Sequence, residues 1–252
     1  LARDLAAEIA RERPAEYVYL GLGSGPIGHK IAALPLIGPM FAARIEKRAG
    51  RTRDPKDKIP GTLTALVVYW FSRKRAARFA AMMDLRRSGT VVITDRYPQV
   101  EVAGFYDGPG LSAARAEGRF VRWLAAREAR LYHRMVQHLP TLVLRLNIDA
   151  DTALARKPEH GRALVERKIE VTPRLTFGGA PIAEIDATMD YAEERSLARR
   201  LIDQALVDAK ALVEKYPGTP SAIEGYFLIA RTQERLGRSA EALGTYVEIQ
   251  SR

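Results

Sequence analysis

The sequence contains no cysteine. That absence removes disulfide scaffolds, thiolate zinc sites, thiol nucleophiles and iron–sulfur clusters from consideration. Histidine is scarce, with four residues. His133 and His138 stand five apart, a spacing that does not place them on one helix face for a metal, and His29 and His160 are isolated. No basic region followed by an apolar run marks a secretory signal, so a cytoplasmic location is expected. The uncharged stretch Ile31–Ala43 is too short to span a bilayer and is interrupted by Pro35 and Pro39, so no transmembrane segment is expected.

What is present fits a folded, anion-handling chain. The 252 residues are 47% hydrophobic and 28% charged, enough for one large or two modest domains. Lys and Arg number 40 against 30 Asp and Glu, and the excess is uneven. Tyr191–Arg252 holds nine basic and nine acidic residues, so the whole net charge of +10 belongs to Leu1–Asp190. Such a surface attracts phosphates, nucleic acid or acidic lipid. No dedicated nucleic-acid motif accompanies the charge. The basic stretch Arg44–Lys58 reads as a solvated loop, with an anionic membrane surface as the second reading.

Periodicity gives the element order. Leu1–Arg13 carries one apolar stripe, so a short helix is expected there. Tyr17–Leu22, Thr90–Thr94, Thr141–Ile148 and Pro181–Asp186 read as strands. Thr62–Arg87 reads as a helix stopped by Ser88-Gly89, and Ala113–His138 as a long basic helix. Ala150–Lys168 reads as helix, exposed basic turn, helix. Strands alternating with helices predict an α/β fold with a parallel sheet covered on both faces, and ligands then bind beyond the carboxyl ends of the strands.

The run Val91–Tyr97 (VVITDRY) delivers Asp95 and Arg96 to such an edge. Asp95 is placed to orient Mg²⁺ or accept a proton, and Arg96 to grip a phosphate with its planar fork. A plain Asp–Arg pair capping a strand is the other reading. Upstream stands Phe71-Ser72-Arg73-Lys74-Arg75, and downstream a strand followed by Asp149-Ala150-Asp151-Thr152-Ala153-Leu154-Ala155-Arg156.

Together these residues resemble the thymidylate kinase family of P-loop nucleoside-monophosphate kinases over residues 1–190. The resemblance implies transfer of the ATP γ-phosphoryl to a nucleoside monophosphate or related acceptor, with Mg²⁺. It implies that Arg75 (or Lys74) and Arg96 hold the acceptor phosphate, with Asp95 as the metal-orienting catalytic carboxylate. Arg156, Arg162 and Arg167 would serve as lid cations, and Asp186 and Thr188 would lie near the adenine. Lys74 stands where the family has Asp. Tyr97, Phe105 and Tyr106 are candidates to stack on a base or simply to pack. The thymine-reading Gln is absent and Asp107 stands near its place, which puts dTMP in doubt.

A phosphate loop needs Gly-x-x-x-x-Gly-Lys-Ser/Thr between a strand and a helix. The chain has no such match; Gly23–Lys30 comes near but puts His29 in the lysine slot. The chain opens at Leu1 rather than Met, in a pattern like the family's helix after that loop, so it reads as cut just past it. Without the central strand its neighbours lose hydrogen-bond partners, and the chain alone is expected to fold poorly and be inactive.

Residues 191–252 read as helices only. Tyr226, Ile229, Ala230, Leu236-Gly237, Ala242 and Tyr246 resemble a tetratricopeptide repeat, and Ala205, Ala209, Leu212 and Pro217 the end of a preceding one. An ordinary helical hairpin is the other reading. A division into 1–190 and 191–252 follows, with a protein partner on the C-terminal helices and a homodimer among the expected assemblies. The rival function is a protein-interaction module with a degenerate anion-binding scaffold.

Overall fold

The structure, a computed structural model, describes residues 1–21, 62–102, 107–111, 118–158, 161–215 and 239–250. The helices are α1 (Ala2–Ile9), α2 (Thr62–Arg87), α3 (Arg119–Val136), α4 (Ala150–Arg156), α5 (Arg162–Val171), α6 (Tyr191–Lys215) and α7 (Ser239–Gln250). The strands are β1 (Ala15–Tyr19), β2 (Val91–Asp95), β3 (Val143–Asn147) and β4 (Ile182–Asp186). This is an α/β chain, and its strands are parallel. β1 pairs with β2 from Ala15 opposite Val91 to Tyr19 opposite Asp95. β3 pairs with β4 from Val143 opposite Ile182 to Asn147 opposite Asp186. Among the described residues the two pairs are not hydrogen-bonded to each other.

Local chemistry sets the element ends. Gly89 takes a left-handed backbone (φ 83°), and the Thr90 N–H returns to the Leu85 carbonyl at 3.1 Å, closing α2 where Ser88-Gly89 predicts a stop. Asp149 caps α4 by accepting from the Thr152 N–H at 2.8 Å and its hydroxyl at 2.6 Å. α3 starts at Arg119, after Gly118 with φ 88°; the six residues before Gly118 lie outside the described set, as do Ile31–Ala43, Arg44–Lys58 and Gly23–Lys30.

One apolar cluster draws both strand pairs onto the same two helices. Leu5 and Ile9 of α1, Ile185 of β4 and Ala198 and Ile202 of α6 are buried together. Val91 and Ile93 of β2 and Leu142 and Leu144 at β3 pack against them. Each fully buried aliphatic side chain contributes about 1.5–3 kcal/mol. A polar seam reinforces the contact in steps of four residues. Asp4 accepts from the Tyr191 hydroxyl, Glu8 faces Arg195 (3.7 Å) and Arg199 (3.6 Å), and Glu12 pairs with Arg199 at 2.6 Å. The first half of α6 is thereby joined to the α/β part. The repeat-like positions Tyr226 to Gly237 lie outside the described residues, while Tyr246 is half-buried on α7.

α2 and α3 lie side by side, running the same way. Ala65, Leu111, Val121 and Leu124 pack at one end. Leu20, Phe79, Met82, Met83, Tyr132 and Met135 pack at the other. Trp70 and Trp123 face outward, each under a cation: Lys74 lies 3.9 Å from one ring and Arg127 4.3 Å from the other. Among the described residues no helix is long and apolar enough to cross a membrane.

Candidate functional site

The carboxyl end of β2 is the centre of the site. Its apolar residues Val91–Ile93 anchor the strand against the core, so Asp95 and Arg96 emerge where the strand runs out. The Asp95 carboxylate is exposed and accepts from the Tyr17 hydroxyl at 3.1 Å. Burial, then the Asp95 charge, raise the Tyr17 phenol above its usual range. Arg96 takes φ 62°, a left-handed conformation that costs a non-glycine residue about 1–3 kcal/mol and that recurs at functional positions. Its side chain is 55% exposed, with Nη1 3.7 Å from Asp107 Oδ2.

Two arginines, Arg75 and Arg96, lie against Asp107. Arg75, from α2, is wholly buried. Its Nε–H donates to the Leu20 carbonyl, Nη1 donates to the Asp107 carbonyl (2.7 Å) and the Tyr132 hydroxyl (2.8 Å), and Nη2 donates to Asp107 Oδ1. Four of its five N–H groups are thus committed within the protein. Arg78, one turn on, donates to the Gly21 carbonyl and lies over the Tyr19 ring at 6.0 Å. Its Nε is buried with no hydrogen-bond partner among the described residues. Burial, then repulsion from Arg75, pull its pKa down. Gly21 is required by close approach, since a Cβ would collide with the Tyr19 ring and come within 2.7 Å of Arg96 Cδ. Arg78 was readable from its spacing, because i and i+3 share a helix face.

Behind the site, Glu128 is buried and accepts from the Ser72 hydroxyl (2.6 Å) and from the N–H groups of Gly110 (3.2 Å) and Leu111 (2.6 Å). It fixes the segment that carries Asp107. Tyr97 turns inward: its hydroxyl donates to the His138 carbonyl at 2.5 Å, its ring meets Phe79 edge-on at 5.6 Å, and burial pushes its phenol up to about 12. Of its two expected roles, packing is the one it occupies here. Phe105 and Tyr106 lie outside the described residues.

The other candidates sit on the second strand pair and its helices. Asp186 ends β4 and accepts from the Thr188 N–H (2.8 Å) and hydroxyl (2.7 Å), which lowers its carboxyl pKa. Asp149 follows β3, and its pKa is likewise held down, first by the Thr152 hydroxyl. Arg156 is exposed in the last turn of α4, and Arg167 is exposed on α5. Arg162 bonds Asp151 (2.6 Å) and Glu166 (3.5 Å), tying α5 back to α4.

A contact that sequence reading missed joins the two halves. The turn Phe177-Gly178-Gly179 has three successive left-handed residues (φ 50°, 71° and 87°). With Thr176 it forms an anion-binding concavity. Glu101, beyond β2, fills it, accepting from the Thr176 N–H (2.5 Å) and hydroxyl (2.9 Å) and the Gly178 N–H (2.9 Å). No simple motif announces such a contact, since its partners lie 75 residues apart.

Among the described residues no group of three or more His, Asp or Glu converges on a metal position. A Mg²⁺ that takes most of its oxygens from water and phosphate needs only one or two carboxylates, and the exposed Asp95 fits that demand.

Comparison with known proteins gives close relatives. The chain is 42% identical over 207 residues to the uncharacterized ATP-binding protein YghS of Escherichia coli K12, covering 82% of this chain and 87% of that protein. It is 39% identical over 203 residues to the uncharacterized ATP-binding protein YghR of the same organism, covering 80% and 81%. YghR of E. coli O6:H1 matches to the same extent. No family model and no solved structure matches.

Proposed function

The chain belongs to the family of the Escherichia coli proteins YghS and YghR, and from that premise we propose that it binds ATP and transfers its γ-phosphoryl to a nucleoside monophosphate or related phosphorylated acceptor, as a thymidylate kinase-like enzyme. The observation that carries the reading is Arg96. It is a non-glycine residue in a left-handed backbone at the carboxyl end of a parallel strand, its guanidinium exposed beside Asp107, which the buried Arg75 also holds. Backbone strain and an exposed guanidinium at such an edge suit an anion-binding reaction site.

The roles divide by burial. Arg96 grips the acceptor phosphate, and Asp95 orients the acceptor or would help to hold a Mg²⁺. Arg75 acts from behind, by fixing Asp107 and the end of β1. Arg156, Arg162 and Arg167 on α4–α5 are the candidate cations for the transferring group, and Asp186 and Thr188 those near the adenine. When bound, Mg²⁺ neutralises phosphate charge.

The test is ATP turnover by the chain against a panel of nucleoside monophosphates. Arg96→Ala should cost about a hundredfold in kcat/KM, the scale for removing one charge-stabilising donor. Unchanged turnover in that variant would sink the proposal. A second reading, a helical docking module, draws on Leu243 and Val247, one turn apart on α7 and 65% and 58% exposed. Peptide capture without nucleotide turnover would favour it.

A further inference from the structure

We propose that the Asp107 carboxylate is an internal occupant of the anion seat, and that an incoming phosphoryl group binds by displacing it from Arg96 while it stays anchored on Arg75. The inference rests on the reading of the β2 edge as an acceptor site and adds to it a residue that sets how tightly the acceptor is held.

The asymmetry of the Asp107 contacts is the basis. On one side Oδ1 and the backbone carbonyl both receive hydrogen bonds from the buried Arg75. On the other, Oδ2 stands 3.7 Å from Arg96 Nη1, beyond hydrogen-bond range, and Arg96 is 55% exposed. The first contact is a fixed pair; the second is a loose electrostatic attraction that solvent already reaches. Asp107 itself holds a left-handed backbone (φ 65°), a conformation Asp tolerates better than most residues. That backbone brings the carboxylate between the two arginines.

Charge then decides the outcome. Arg75 and Arg96 both lie against Asp107, and among the described residues no other acid pairs with either of them; Arg78 holds the Gly21 carbonyl. Two guanidinium charges thus face the one carboxylate of Asp107, and among the described residues Arg78 Nε has no acceptor. A doubly charged phosphoryl group competes well for Arg96 against one distant carboxylate oxygen. It also meets the remaining negative charge of Asp107, which lowers its affinity. A residue that holds an acceptor arm ready while weakening the final grip favours release after transfer.

The experiment is a titration of the 252-residue chain with inorganic phosphate, by calorimetry, comparing wild type, Asp107→Asn, Arg96→Ala and the double variant. Asn keeps an acceptor oxygen for Arg75 and removes the charge. Asp107→Asn should bind phosphate about tenfold tighter, the size expected from removing one charge about 6 Å away at an effective dielectric between protein and water. The gain should vanish in the double variant. Equal or weaker binding by Asp107→Asn, with Arg96→Ala still damaging, overturns the role of Asp107 but leaves the site. Phosphate binding that ignores Arg96→Ala, or no binding at all, overturns both. Should Asp107→Asn fail to fold, the wild-type guanidinium ¹⁵N spectrum decides. Phosphate must move the Arg96 resonances and leave Arg75 slow to exchange; movement of both, or of neither, refutes the displacement.

Discussion

Replacing Arg75 by Met tests whether this arginine is scaffold or gripping arm. Methionine fills much of the stem volume but donates nothing. The change strands the Asp107 carboxylate, 10% exposed, together with the Leu20 carbonyl, and takes from the Tyr132 hydroxyl its guanidinium donor. Removing one partner of a buried ion pair costs about 3–5 kcal/mol. Each stranded neutral acceptor costs about 1–3 kcal/mol. Because these losses overlap, about 4 kcal/mol is expected, a large share of a typical stability of about 5–15 kcal/mol. For a chain of this size that lowers Tm by about 10 °C. Urea unfolding, read by circular dichroism, gives the number. Arg75→Met/Asp107→Leu should recover part of the loss, since no charge is then stranded. If Arg75→Met unfolds within about 0.5 kcal/mol of wild type and loses phosphate binding, Arg75 is a ligand arm and the scaffold argument fails.

Arg199 is 12% exposed at its side chain and pairs with Glu12 (2.6 Å) and Asp203 (2.8 Å). Arg199→Ala should cost about 1–2 kcal/mol, a loss that shrinks in 1 M salt if the pairing is electrostatic. Burial holds the Tyr97 proton up to about 12 against an ordinary 10.0, so between those values the unfolded chain has lost a proton that the folded chain keeps. Stability should fall as pH rises through that window, and Tyr97→Phe should flatten the fall; parallel curves would refute it. For Glu101, burial raises the carboxyl pKa but the Thr176, Gly178 and Phe177 donors outweigh it, and the net shift is downward. Its contribution is complete above the ordinary glutamate range and drains away as pH falls through the lowered value. Glu101→Gln should remove that acid-side loss in urea midpoints taken from about pH 6 to pH 3.

Local signals in the sequence carried far. Thr62–Arg87 was legible to the residue because its stop rests on Gly89, and the four strands fall within two or three residues of their expected places. Asp95 and Arg96 were legible because a short apolar strand must end somewhere, and polar residues at its carboxyl end mark the edge. The partner of Arg75 was not. The hub joins α2 to Leu20, Asp107 and Tyr132 across separations of 55, 32 and 57 residues, and nothing in Phe71–Arg75 says whether the guanidinium points out or in. The Glu101 contact escaped for the same reason, since a carboxylate and a glycine turn each read as surface until the fold sets them together.

Arg75 and Arg96 show how one residue type serves two ends at a single edge. Each is a permanent cation with the same planar fork, so chemistry alone does not separate them. Burial does. In the low-dielectric interior a guanidinium must be satisfied within the protein, and Arg75 is, which leaves it little with which to bind a ligand. At the strand edge, solvent screens the charge until a ligand displaces the water, and Arg96 keeps its donors available at the cost of a strained backbone. Asp107 lies between the two, held by hydrogen bonds from Arg75 and only loosely by Arg96 at 3.7 Å. If the proposed phosphate site is right, changes at Arg96 or at the Asp107 charge should act on affinity directly, whereas changes at Arg75 should reach it only through the fold.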